Sequence, residues 1–407
     1  MKQTLSAIFA ITLLASALFN RAAEGYTMDF TVPDSGGCPQ PNHRNISASF
    51  PQSRQWSTSL PTNPNTILTV AANGTFAQLH EIESAILDSF GAWTGVAGSI
   101  LNSLTNPNAL GPLTRTAAQD ACENDSASNA DGINTICFNL SSSGFTTGVL
   151  AFTRTIVATA PGQSVGSSGP AAFAGQILDA DIYFRPDGQA MFATPSALST
   201  SQGQGSYDLE SLLMHELGHS WGLDHTDIRR AVMFPFAPSP GTFLGDRPTP
   251  QAPDGPLSDD DRTGLRFLYP DPNDAINVGT ISGRILPANP FAISVAPSPS
   301  PGNSITGIFG AYVVAVDADS GAVVAGALGG WSCNAANPPA HFDGTYSISR
   351  LPLNRNYKVY VAPLDGLTLA GDVASVTSSL CRSSVPTPCT PPQVNTNFTT
   401  RVRPPSQ

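Results

Sequence analysis

Between His215 and His225 the chain reads His-Glu-Leu-Gly-His-Ser-Trp-Gly-Leu-Asp-His, a spacing that few folds can accommodate. His215 and His219 are four residues apart. On a helix their rings leave one face, one turn apart, and can share a single ion. Glu216 directly follows the first histidine and reaches the same side without ligating. Gly222 suits the left-handed conformation that often ends a helix, so the chain can turn back and bring in His225. Three protein ligands leave a fourth tetrahedral position open to water, which is the arrangement of a reactive zinc site and not of a structural one. The competing reading, an amphipathic helix with surface histidines, has to place all of these residues by coincidence.

The flanking sequence agrees with a helix. Ser206 or Asp208 offers an N-cap oxygen, Glu210 adds negative charge to the first turn, and Leu209, Leu212, Leu213 and Leu217 form an apolar stripe. Upstream, Val149, Leu150 and Ala151 open an apolar, β-branched run that reads as a strand. Asp179 and Asp181 alternate in another strand-like run and so share a face. Together with Asp131 they are candidate calcium ligands; the competing reading is a solvated strand edge and a turn. Ser258 followed by Asp261 reads as a capping-box variant opening a further helix.

Four segments resemble the matrixin branch of the metzincin zinc peptidases. They are the stretch from His215 to His225 with Thr226 after it; Ala231-Val232-Met233-Phe234-Pro235, similar to the family's Met-turn; Leu257 to Pro270, similar to its last helix; and Gly148 to Thr153, similar to the edge strand that receives substrate. The resemblance spans roughly 45–270. It implies an α+β catalytic domain with a twisted mixed sheet, a long active-site helix and a C-terminal helix. It further implies one catalytic zinc on His215, His219 and His225, Glu216 as the catalytic base, and Met233 beneath the metal. Val149, Leu150 and Ala151 would line the substrate edge, and Phe234, Pro235 and Phe236 would wall a pocket. Calcium at Asp179, Asp181 and Asp131 belongs to the same expectation. Two departures stand out. His43, His80 and His341 are scattered, which reduces the zinc count to one. The pro-segment cysteine motif is absent in recognisable form; Cys38 could cap the zinc as a thiolate, pair in a disulfide, or stay idle.

Residues 1–23 read as a signal peptide: Lys2 gives a positive start, Leu5 to Leu18 is mostly apolar, and small residues follow. No later apolar run is long enough to span a membrane. Six cysteines suit an oxidising, extracellular compartment, with Cys122 and Cys137 as a candidate pair. Asn45, Asn73, Asn124, Asn139 and Asn397 begin glycosylation sequons. A net charge of −11, with Lys2 and Lys358 as the only lysines, argues against nucleic acid and anionic membranes as partners.

The division expected is a leader at 1–23, a catalytic domain at 24–270, a hinge at 271–278 and an all-β sandwich at 279–400. The last part, with Gly279 to Ile285, Gly310 to Val316 and Gly344 to Ile348, resembles the transthyretin-like regulatory domain of carboxypeptidases. The function expected is that of a secreted, monomeric zinc endopeptidase acting on polypeptides. The alternatives are a pseudo-peptidase that binds metal and serves as a binding module, and a zinc hydrolase of non-peptide bonds.

Overall fold

A computed structural model describes residues 66–101, 130–138, 145–186, 192–244, 255–286 and 307–363, apart from scattered positions within them. Shorter pieces are described within 7–8, 27–44, 57–61 and 401–403. Apart from Ala7–Ile8, the expected leader lies outside the described residues. So do Cys122, Cys381, Cys389 and the sequons at Asn45, Asn124, Asn139 and Asn397. Two compact units divide the chain, one built mainly on 43–258 and the other mainly on 259–407.

The first unit is organised by a mixed five-stranded sheet. Its described strands are β1 (Ser57–Ser59), β2 (Thr135–Cys137), β3 (Ala151–Val157) and β4 (Ile177–Phe184), with Ala7–Ile8 beside β3. β1, β2 and β4 run parallel, and β3 pairs antiparallel with β4. β4 is buried along its whole length and β3 nearly so, as strands covered on both faces must be. Beyond β3, among the described residues, lie only Ala7 and Ile8, paired with Ile156 and Thr155. Among the described residues the segment from Val149 to Thr153 has no strand outside it.

Two longer helices pack in this unit. α1 (Phe76–Thr94) buries Gln78, Ile82, Ala85, Ile86, Ser89 and Trp93, a stripe three to four residues apart. Thr75 caps it, its hydroxyl accepting from the Gln78 amide at 3.2 Å. α2 (Leu209–Trp221) carries His215, Glu216 and His219 and packs against α1, β3 and β4. Its buried positions run all the way round, so it is a core helix and not a surface one.

In the second unit, α3 (Asp259–Leu268) opens with three aspartates, which suit the positive N-terminal end of the helix dipole. It packs on β7 (Val323–Gly329) and β8 (Thr345–Pro352). β5 (Val278–Arg284) pairs with β8, while β6 (Ala311–Asp317) lies between β7 and β9 (Tyr357–Pro363). β10 (Arg401–Arg403) extends that sheet beyond β9. Val313, Ala315, Val324, Ala325, Ala327, Ile348 and Leu351 form one apolar cluster shared by β6, β7 and β8, with Ile281 and Ile285 packed on it. Between α3 and β5 the expected hinge forms a 3-10 turn, Pro272–Ile276, capped by Asp271.

Candidate metal centre

α2 begins and ends on residue chemistry that the sequence displays. Asp208 caps it, accepting from the Ser211 amide at 2.7 Å. The Ser206 hydroxyl, the other candidate cap, is buried with no hydrogen-bond partner. At the far end Gly222 adopts φ 102°, and its amide donates to the Gly218 and His219 carbonyls. That is the left-handed cap only glycine supplies at low cost.

The three imidazoles converge. One ligand atom from each of His215, His219 and His225 lies within 4.8 Å of the others, and all three residues are buried. His215 Nε2 and His219 Nε2 stand 3.2 Å apart. Two nitrogens on one tetrahedral zinc, each at about 2.0–2.1 Å, would stand roughly 3.3 Å apart, so the spacing fits. Two facing lone pairs at that distance repel unless a cation or proton sits between them. His215 Nδ1 lies 2.6 Å from the Val232 carbonyl. With Nδ1 as donor this bond holds the ring and leaves Nε2 as an acceptor, the outer-shell support a metal ligand needs. Burial, then the neighbouring His219, lowers the His215 pKa to about 3. The ring is thus held in its neutral, ligating form.

Glu216 is fully buried beside these rings. Thr153 Oγ1 lies 2.7 Å from Glu216 Oε2, and Oε1 has no hydrogen-bond partner. Burial raises the carboxyl pKa to about 8, and the Thr153 hydroxyl partly offsets that. A carboxyl that exchanges its proton near neutral pH and keeps one oxygen unengaged suits general acid–base work.

Met233 is buried against α2: a Cβ built on Gly218 would stand 2.1 Å from its sulfur and 3.0 Å from Trp93 Cζ2. Gly218 therefore has to be glycine for the Met-turn and α1 to close on the helix. Phe234 and Phe236 are half-buried with ring centroids 5.6 Å apart, and Pro235 is buried between them. Val149, Leu150 and Ala151 are buried. The Val149 carbonyl accepts from Arg185 Nη1 at 2.7 Å, and the Leu150 carbonyl accepts from the Arg185 amide at 2.9 Å.

The acidic candidates for calcium are otherwise engaged. Asp179 Oδ2 accepts from the Gly132 amide at 3.0 Å and Asp181 Oδ1 from the Thr135 amide at 2.8 Å. Asp131 accepts from the amide of Ile133 at 2.7 Å, two residues along its own turn. Their alternation puts both strand carboxylates on one face, as expected, but the groups they meet are backbone N–H donors of the 132–135 segment. The geometry gives calcium no support. Asp181→Ala is expected to cost about 1–3 kcal/mol, the penalty for stranding a buried donor. The shift would appear in the urea midpoint, and millimolar calcium would leave the wild-type midpoint unmoved. Elsewhere, His43 stacks on Phe173 and His80 lies 3.8 Å from Glu83. Cys38 and Cys137 are each disulfide-bonded, which removes Cys38 as a free thiolate.

Three contacts that build the site escaped the sequence reading. Trp93 donates from Nε1 to the Met214 carbonyl at 2.8 Å, Thr153 meets Glu216, and Arg185 holds the 146–150 segment. Their partners are 121, 63 and 36–39 residues away in sequence. Local pattern carries no signal of such contacts.

Comparison with known proteins gives two likenesses. Over 92 residues, 23% of its length, the chain is 33% identical to Metalloendoproteinase 1 of Glycine max. It spans about a quarter of that curated relative, the match covering 24% of it. Residues 162–270, which include all three histidines, Glu216 and Met233, match the family model described as Matrixin, peptidase family M10, and the two likenesses support a matrixin-like metallopeptidase.

Proposed function

We propose that this chain is a secreted zinc-dependent endopeptidase that hydrolyses peptide bonds of extracellular proteins. One observation carries the reading: a buried carboxyl with an unengaged oxygen lies beside three converging, buried imidazoles. His215, His219 and His225 would hold the zinc, whose Lewis acidity polarises a scissile carbonyl and acidifies a water. Glu216 takes the proton of the attacking water on Oε1 and delivers it to the leaving amine. Val149, Leu150 and Ala151 receive the substrate backbone by strand addition, along a segment that Arg185 holds from the inner side. Phe234, Pro235 and Phe236 wall a pocket for an apolar side chain just after the cut.

Secretion rests on the leader-like 1–23 and on disulfides at Cys38 and Cys137. Among the described residues no helix is long and apolar enough to cross a membrane. The strands from β5 to β9 are proposed to belong to a sandwich domain over 279–400, joined to a catalytic domain at 24–270 through 271–278. The chain is proposed to act as a monomer.

The test is direct. Purified protein should contain one zinc per chain by elemental analysis and should cleave unfolded casein at new amino termini. His219→Ala should lose the metal. Zinc-loaded protein that leaves casein intact would sink the reading. A peptide-library profile favouring charged residues after the cut would remove the apolar pocket.

A further inference from the structure

Thr153 sits in the middle of β3, paired in register with Ile182 of β4. It is 5% exposed, and its side chain reaches across to α2. Its hydroxyl has one proton and two acceptors within reach: Glu216 Oε2 at 2.7 Å and the Glu216 carbonyl at 2.9 Å. The shorter distance belongs to Oε2, so the single hydroxyl proton is directed there. The Glu216 carbonyl is also reached by the Ser220 hydroxyl at 3.3 Å. The carbonyl therefore does not depend on Thr153, whereas Oε2 has no other hydrogen-bond partner described.

We infer that Thr153 is the positioning residue of the catalytic base: it holds Glu216 Oε2 so that Oε1 alone faces the reacting water. The inference rests on the peptidase reading above and adds to it which of the two carboxylate oxygens works. The physical argument is rotational. A carboxylate attached through two methylenes can swing its oxygens, and each swing out of line costs reaction rate because proton transfer needs heavy atoms within hydrogen-bond reach. A hydroxyl anchored on a buried strand removes that freedom, because β3 is braced by β4 along its length and Thr is stiff at χ1. Donation to Oε2 also makes that oxygen the poorer base, so the proton taken from water sits on Oε1. During the reaction the proton moves from water to Oε1 and then to the leaving nitrogen. The Thr153 proton stays where it is, so the hydroxyl is neither consumed nor regenerated.

Three variants test this. Thr153→Val keeps the shape and the strand preference but deletes the donor. Thr153→Ser keeps the donor and deletes a methyl. On a fluorogenic peptide, kcat of Thr153→Val should fall about 10- to 100-fold, the usual scale for removing an outer-shell partner, with KM and zinc content unchanged. Thr153→Ser should stay within about threefold of wild type on the same scale. If Thr153→Val is unstable, Thr153→Ala stands in for it. The second readout needs no activity. In metal-free protein, urea midpoints of Thr153→Val, Glu216→Ala and the double variant should be non-additive, because the second change finds its partner already gone.

Wild-type kcat in Thr153→Val, a Thr153→Ser as slow as Thr153→Val, or additive midpoints would each overturn the inference. Failure of the underlying reading looks different: it would leave Glu216→Gln fully active. A dead Glu216→Gln beside a fully active Thr153→Val removes only the role given to Thr153.

Discussion

Glu216→Gln is expected to lower kcat/KM about a thousandfold while zinc stays bound at one per chain. General acid–base groups contribute on the order of 10²–10⁴ in rate, and a thousandfold corresponds to about 4 kcal/mol of lost transition-state stabilisation. Glutamine is the right replacement because it matches the buried shape of Glu216 and can still accept from Thr153 through its amide oxygen. What it cannot do is take a proton from water. The loss should therefore appear in kcat, with KM nearly unchanged, since the interaction matters only as the proton moves. The measurement is steady-state kinetics on a peptide, with zinc content determined on the same sample. Full activity in this variant would overturn the proposed mechanism. A loss of zinc together with activity would mean that Glu216 shapes the metal centre and does not act on water.

The second large effect lies outside the metal shell. Trp93→Ala is expected to destabilise the protein by about 3–5 kcal/mol, the range for emptying a buried tryptophan site. Trp93 is completely buried, donates to the Met214 carbonyl of α2, and approaches Gly218 between the two helix-borne histidines. Total stabilities of folded proteins are about 5–15 kcal/mol, so this single change removes a large fraction of the margin. The readout is the urea midpoint at unchanged slope. Trp93→Phe keeps most of the ring volume and loses the indole donor, so about 1 kcal/mol is expected for it. A Trp93→Ala shift below that of Trp93→Phe would mean α1 does not brace the metal-bearing helix.

Much of the site could be read from the chain because its parts are close together in sequence. His215, Glu216 and His219 occupy successive positions on one helix, and helix geometry alone puts them on one side. Gly222 announces its own conformation, and the structure shows it at φ 102°. Of the two caps expected, Ser206 and Asp208, the structure uses Asp208. The calcium expectation finds no support in the structure, for an instructive reason. The alternation of Asp179 and Asp181 correctly puts both on one face of β4, but strand periodicity does not say what that face meets. It meets backbone amides of the 132–135 segment. Two carboxylates on a strand are equally good at holding a loop and at holding an ion.

The sequence alone determined which groups could hold a metal: three imidazoles, one carboxylate and a helix stop lie within eleven residues. Tertiary structure alone decided what makes that chemistry orderly. The Val232 carbonyl sets the His215 ring, Met233 and Trp93 close on Gly218, and Thr153 holds one oxygen of Glu216. Each of these contacts joins segments that are distant in the chain, and hydrogen bonding and close packing act through space, without regard to sequence separation.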